Sequence, residues 1–146
     1  MKLVIVTAIC ALLLACGQKE TDVVTYSHDP DLCQFHSSPC QKSVEDIALA
    51  VSLSLTRPDA PSETPFAFRI SANKAVKNMT MRLEGRDMFM GVIPIRLSQI
   101  SDKQYSGQLL YGSCSSGYMV WNAIVTFDYL GENRELVFAI LADNTV

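Results

Sequence analysis

Met88, Met90, Cys114 and Met119 carry soft sulfur donors, and their spacing raises the question of a metal site. Four of the six methionines fall in the stretch 78–91, "NMTMRLEGRDMFMG". Thioether and thiolate sulfur select Cu(I) over harder cations. Cys114 lies in a glycine-serine turn, "YGSCSSGYMVW", with Met119 five residues on. If that turn and "DMFMG" reach the same end of the fold, Met88, Met90, Cys114 and Met119 form a three- or four-sulfur Cu(I) site. His28 and His36 stand in a polar segment that could bring an imidazole to it. The competing reading is plain packing, because methionine fills irregular core gaps well. Met79 and Met81 are read that way.

The elements that must position these sulfurs follow a period of two. Leu49, Val51, Leu53 and Leu55 alternate with small or polar residues, as do Phe66, Phe68 and Ile70, and such alternation reads as strands half-buried on one face. Further strands are predicted over 77–84, 87–99, 104–112, 118–129 and 135–142. The last two are joined by "LGENRE", a hairpin loop containing glycine. Between 77–84 and 87–99 a tight turn is expected at Gly85-Arg86, where glycine suits positive φ. Cross-strand pairing then sets Leu83 opposite Met88, Met81 opposite Met90 and Met79 opposite Val92. The pattern predicts an all-β domain over 44–146: one immunoglobulin-like antiparallel β-sandwich of about seven strands. Trp121 is the expected core anchor. Tyr105, Tyr111, Tyr118, Phe127 and Tyr129 divide between that core and an exposed sheet face able to dock a protein partner.

The N-terminus has a different character. Residues 1–15 hold one charge, Lys2, ahead of an apolar run with the proportions of a signal-peptide core, too short to span a bilayer. The run ends in "LLAC", Leu13 to Cys16, which resembles the bacterial lipobox. That resemblance implies cleavage before Cys16, diacylation of its thiol and anchorage in a membrane through the lipid. Gly17 after the cysteine resembles the outer-membrane sorting pattern of Gram-negative lipoproteins, facing the periplasm. Residues 16–43 then read as a lipidated tether followed by a small loop, "CQFHSSPC". Of the five cysteines, Cys10 falls in the leader. Cys33 and Cys40 are expected to close the loop as a disulfide in an oxidising envelope compartment, which leaves Cys114 over.

Charge narrows the partners further. The net charge is −3, and removal of Lys2 with the leader makes it more negative. No basic stripe exists, so nucleic acid is excluded as a partner. Catalytic motifs are scarce. "GSCSSG" misses the nucleophile-elbow spacing by one residue and joins strands instead of a strand and a helix. Cys33 and Cys40 lack the C-x-x-C spacing of thiol–disulfide exchange. The chain therefore reads as a non-enzymatic protein.

"LEGRDMFMGVIPIRL", "QYSGQLLYGSC", "GYMVWNAIVTF" and the closing "LVFAI" together resemble the small periplasmic β-sandwich domains of the FixH/YtkA-like group, over roughly residues 65–142. That resemblance implies copper handling or the assembly of copper-containing terminal oxidases, with Met88, Met90 and Gly91 as the carried-over elements and Trp121 in the core. FixH has a transmembrane helix where this chain has the lipobox, and Cys114 has no counterpart in the group. Two functions remain open from the sequence: a Cu(I)-binding or oxidase-assembly lipoprotein, and a metal-free structural or protein-interaction lipoprotein of the envelope.

Overall fold

A computed structural model describes residues 29–115 and 117–144. The expected signal peptide, the expected lipidation site Cys16 and His28 lie outside the described residues. Two antiparallel sheets pack face to face as a β-sandwich. One sheet has the order β1-β2-β3-β7-β6, from Cys40–Val44, Leu49–Leu55, Phe66–Ala72, Gln104–Leu109 and Ser98–Ser101. The other has the order β5-β4-β8-β9, from Val92–Ile95, Lys77–Gly85, Val120–Tyr129 and Glu132–Leu141. Apart from a single 3₁₀ turn at Glu45–Ile47, the described residues are strand, turn and loop. None of their helices is long and apolar enough to cross a membrane.

Alternation builds the core as the sequence requires. Leu49, Val51 and Leu53 of β2, Phe66, Phe68 and Ile70 of β3, and Met79, Met81 and Leu83 of β4 point inward. They meet Trp121, Ala123, Val125 and Phe127 of β8, with Phe138 and Ile140 of β9. Burying a large apolar side chain of this kind contributes about 1.5–3 kcal/mol. Met79 and Met81 are therefore core residues. Tyr105, Tyr111 and Phe127 are buried too, and among the later aromatics only Tyr118 and Tyr129 are part-exposed. The exposed aromatic face expected from the sequence is not formed.

The strand expected over 87–99 is two strands in different sheets, and with the unforeseen β1 this brings the total among the described residues to nine. The tight turn at Gly85-Arg86 is not made either. The Arg86 N–H donates to the Val120 carbonyl at 2.9 Å, so the β4–β8 ladder continues past Gly85 and the chain cannot reverse there. It reverses instead through a loop over 86–91, closed by Gly91 at φ 79°, a left-handed conformation that glycine adopts without strain. The register becomes Met81 opposite Ile95, Leu83 opposite Ile93 and Glu84 opposite Val92. Met88 and Met90 consequently sit in a loop and not on the inner face of a hairpin. Pro94, with no N–H to give, is accommodated because β5 is an edge strand. The chain then crosses at 96–97 to pair β6 with β7.

The segment before β1 packs onto the domain from Asp29 onward. Cys33 is buried, its N–H donates to the Ala139 carbonyl at 2.9 Å, and Leu32 forms a parallel bridge with Ala139. This covers part of the open edge of β9, the kind of edge that otherwise invites pairing with another chain. A disulfide joins Cys33 to Cys40, the first residue of β1.

At the far end of β4 the ladder with β8 shifts between Lys77 and Thr80, where Asn78 adopts φ 50°. Asn78 Nδ2 donates to one oxygen of Asp128 at 2.7 Å, and Asn133 Nδ2 to the other at 2.9 Å. The two amides, Asn133 first, hold the Asp128 carboxyl below its usual range. A lowered folded pKa contributes stability above the ordinary carboxylate range near 4 and loses it as pH falls through the lowered value. Urea unfolding at stepped pH is expected to show that acid loss in the native chain and a flatter acid limb in Asp128→Asn. Asn78→Ala, which places a Cβ-bearing residue without a capping amide in left-handed space, is expected to cost about 1–2 kcal/mol at neutral pH.

Candidate sulfur site at the loop end

Four chain segments gather at the end of the sandwich where β4 stops and β8 starts. Tyr111, just past β7, ties two of them together. Leu109, two residues before it, completes β7; the Tyr111 carbonyl accepts from Glu63 N–H at 2.8 Å, and the Tyr111 hydroxyl donates to the Ala60 carbonyl at 2.9 Å. Its ring stacks on Trp121, with centroids 5.4 Å apart, and meets Phe66 edge-on at 5.8 Å. Burial pushes the Tyr111 phenol pKa upward, so it remains a neutral donor. Ser113 Oγ donates to Glu63 at 2.8 Å, and the C-terminal stretch joins through Ala142 N–H to the Met119 carbonyl at 2.9 Å. The loop over 110–119 is thus held on a rigid base of β7, β8 and the loop over 56–65.

The loop over 86–91 is fixed beside it. Arg86 Nη1 reaches Asp29 at 2.6 Å, while its Nε lies 3.1 Å from each oxygen of Asp87. These bonds, Asp87 foremost, raise the Arg86 pKa, so the guanidinium is charged throughout the working range. Beyond Arg86 the chain folds back so closely over Gly85 that a Cβ there would lie 2.1 Å from the Met88 carbonyl oxygen and 3.0 Å from the Met119 methyl. Only glycine permits this approach, and it determines where Met88 stands.

The result is a pair of sulfurs from opposite loops: Cys114 Sγ lies 3.9 Å from Met88 Sδ. Cys114 is outside the disulfide and half-buried against the core, and Met88 is 47% exposed. Met119 is 7% exposed, its methyl packed against the Gly85 position. Met90 stands on the same loop as Met88, 38% exposed. His36 is engaged with the C-terminal stretch, its ring nitrogen 2.9 Å from the Asn144 carbonyl oxygen. The described residues hold no group of three or more His, Cys, Asp or Glu side chains arranged for a metal ion.

At 3.9 Å the Cys114 thiol can donate to the Met88 thioether, and the same separation is compatible with two sulfur ligands on one ion. With metal–sulfur bonds of about 2.3 Å, two ligands of a trigonal centre stand roughly 4.0 Å apart. Sequence reasoning located these residues but placed Met88 and Met90 on strand faces. The Gly85 back-fold that sets Met88 against Cys114 has no local signal beyond the glycine itself.

No family model matches the chain, and no curated protein matches it. A search of solved structures finds similarity to a DUF4785 family protein from Legionella pneumophila subsp. pneumophila str. Philadelphia 1, with 14% identity and a TM-score of 0.49. That alignment covers 65% of this chain and 28% of the other, so the chain spans little more than a quarter of that protein.

Proposed function

We propose that this chain is a non-enzymatic envelope lipoprotein, anchored by Cys16, that captures Cu(I) at the Met88–Cys114 pair. The observation that carries the reading is the 3.9 Å separation of a thiol and a thioether contributed by two separate loops. Cys114 would bind as thiolate, so capture releases a proton and tightens with rising pH. Met88 supplies a neutral thioether that keeps the centre selective for Cu(I). Met90 and Met119 complete the sulfur shell from the same two loops. The role is holding or handing on the ion, in keeping with the resemblance to the FixH/YtkA-like group, and the resemblance of Gly17 to the Gram-negative sorting pattern supports an outer-membrane position facing the periplasm. The strand order supports an immunoglobulin-like assignment: β2-β3-β7-β6 corresponds to ABED, and β5-β4-β8-β9 to C′CFG.

An anaerobic competition titration against a chromogenic Cu(I) chelator tests this on the chain from residue 16. One equivalent of Cu(I) is expected to be bound. Cys114→Ser is expected to abolish competition and Met88→Leu to weaken it by about tenfold or more, both with native circular dichroism. A folded native chain that fails to compete would overturn the copper reading. The intact mass of protein isolated from membranes checks the anchor separately, through loss of residues 1–15 and gain of acyl chains.

A further inference from the structure

The loop that carries Met88 also carries the most exposed large apolar side chain among the described residues. Phe89 is 86% exposed, and Met88, Met90 and Val92 beside it are open as well. Nothing in copper capture requires Phe89. We propose that the Met88–Phe89–Met90 tip docks in the interfacial layer of a lipid bilayer, the same bilayer that holds the acylated Cys16. The inference rests on the anchoring part of the reading above and not on copper.

The path of the chain supports this occupant. Asp29, where the described chain begins, is bound to Arg86 at 2.6 Å, three residues from Phe89. The tether therefore reaches the domain at the loop end and not at the opposite end. Thirteen residue steps separate Cys16 from Asp29. They span at most about 45 Å when extended. A tip held within that radius of the surface meets lipid at high effective concentration. Its size points the same way. A stable protein interface needs about 800 Å² from each partner, whereas an insertion tip needs only its apolar residues. Charge then sets the lipid class. Arg86 is satisfied by Asp29 and Asp87, Asp87 is exposed, and the loop over 86–91 carries no other basic residue. Docking is driven by apolar insertion, so zwitterionic vesicles are bound at least as well as anionic ones.

Tryptophan scanning against brominated phosphatidylcholine vesicles tests the proposal. Phe89→Trp reports the tip, and Leu130→Trp reports an exposed position in the β8–β9 turn at the opposite end. Native Trp121, fully buried, gives a constant background. On the acylated protein, bromolipid is expected to quench Phe89→Trp and to leave Leu130→Trp unchanged. In the chain from residue 16 made without the leader, and so not acylated, Phe89→Ser is expected to lower vesicle affinity about tenfold or more. Equal quenching at both positions, or none at Phe89→Trp, overturns the proposal. If the intact mass shows no acyl chain, the anchoring reading fails. Quenching of the unacylated Phe89→Trp chain then decides the tip alone, its presence supporting docking and its absence ending it. A Phe89→Trp emission that shifts blue with protein concentration in the absence of lipid assigns the tip to a second copy of the chain and also overturns the proposal.

Discussion

Trp121→Ala is expected to destabilise the domain by about 3–5 kcal/mol, roughly a fifth or more of the stability of an ordinary domain. Trp121 is 1% exposed at the start of β8 and lies opposite Gly85 on one side and Ile140 on the other. Its ring stacks on Tyr111, which in turn spans to Ala60 through its hydroxyl. Removing the indole leaves a void that Gly85 cannot fill, and it withdraws the support under the loop over 110–119. Urea unfolding monitored by circular dichroism reads the loss. Trp121→Phe separates the two contributions: it keeps a ring against Tyr111 and deletes an indole N–H that has no hydrogen-bond partner among the described residues. An unmatched buried donor is a cost that the native residue bears, so the phenylalanine variant is expected to lose markedly less than the alanine one. Equal losses would mean that the retained ring recovers neither the stacking on Tyr111 nor the filling of the indole's space, and would overturn this account.

The difference between these positions and the loop residues shows what the sequence could reveal. Leu49 to Leu55 and Phe66 to Ile70 were legible because one face of each strand is buried and the other is not, so the period of two is written directly into the residue types. Trp121 was legible for a related reason, as the bulkiest apolar residue within a predicted strand. "MFMGVIPI" misled because a loop with exposed apolar side chains has the composition of a buried strand, and burial cannot be read from residue type alone. Gly91 was the breaker within it, ending the loop before β5, and a breaker outranks apolar content when the two conflict, whereas Pro94 is carried inside the edge strand. β1 was missed because its residues, Cys40 to Val44, are only part-buried and carry little apolar contrast. The docking of Cys33 on Ala139 joins positions more than a hundred residues apart and leaves no local trace. The meeting of Met88 with Cys114 belongs to both kinds. That both lie near strand ends follows from the pattern, but which ends meet depends on the order of the strands.

Gly85→Ala is where fold and candidate site are expected to fail together. A methyl at this position would stand 2.1 Å from the Met88 carbonyl oxygen, a backbone atom that no side-chain rotation can move aside. The loop over 86–91 must lift, at a cost of about 3 kcal/mol, the upper part of the usual range for overpacking. Arg86 N–H is bonded to Val120 and its guanidinium to Asp29 and Asp87, so the start of the loop is fixed and the displacement falls on Met88 and the residues after it. The 3.9 Å sulfur separation is then lost while Cys114, held on the other loop, stays in place. Cu(I) affinity is expected to fall about as far as in Met88→Leu, although every sulfur is still present. Met119→Ala provides the comparison: it removes the flexible methyl at 3.0 Å but leaves the Met88 backbone where it is. Combined with Gly85→Ala it is expected to recover little of either stability or copper affinity. Substantial recovery in the double variant would place the strain on the Met119 side chain, and the position of Met88 would then owe little to the back-fold over Gly85.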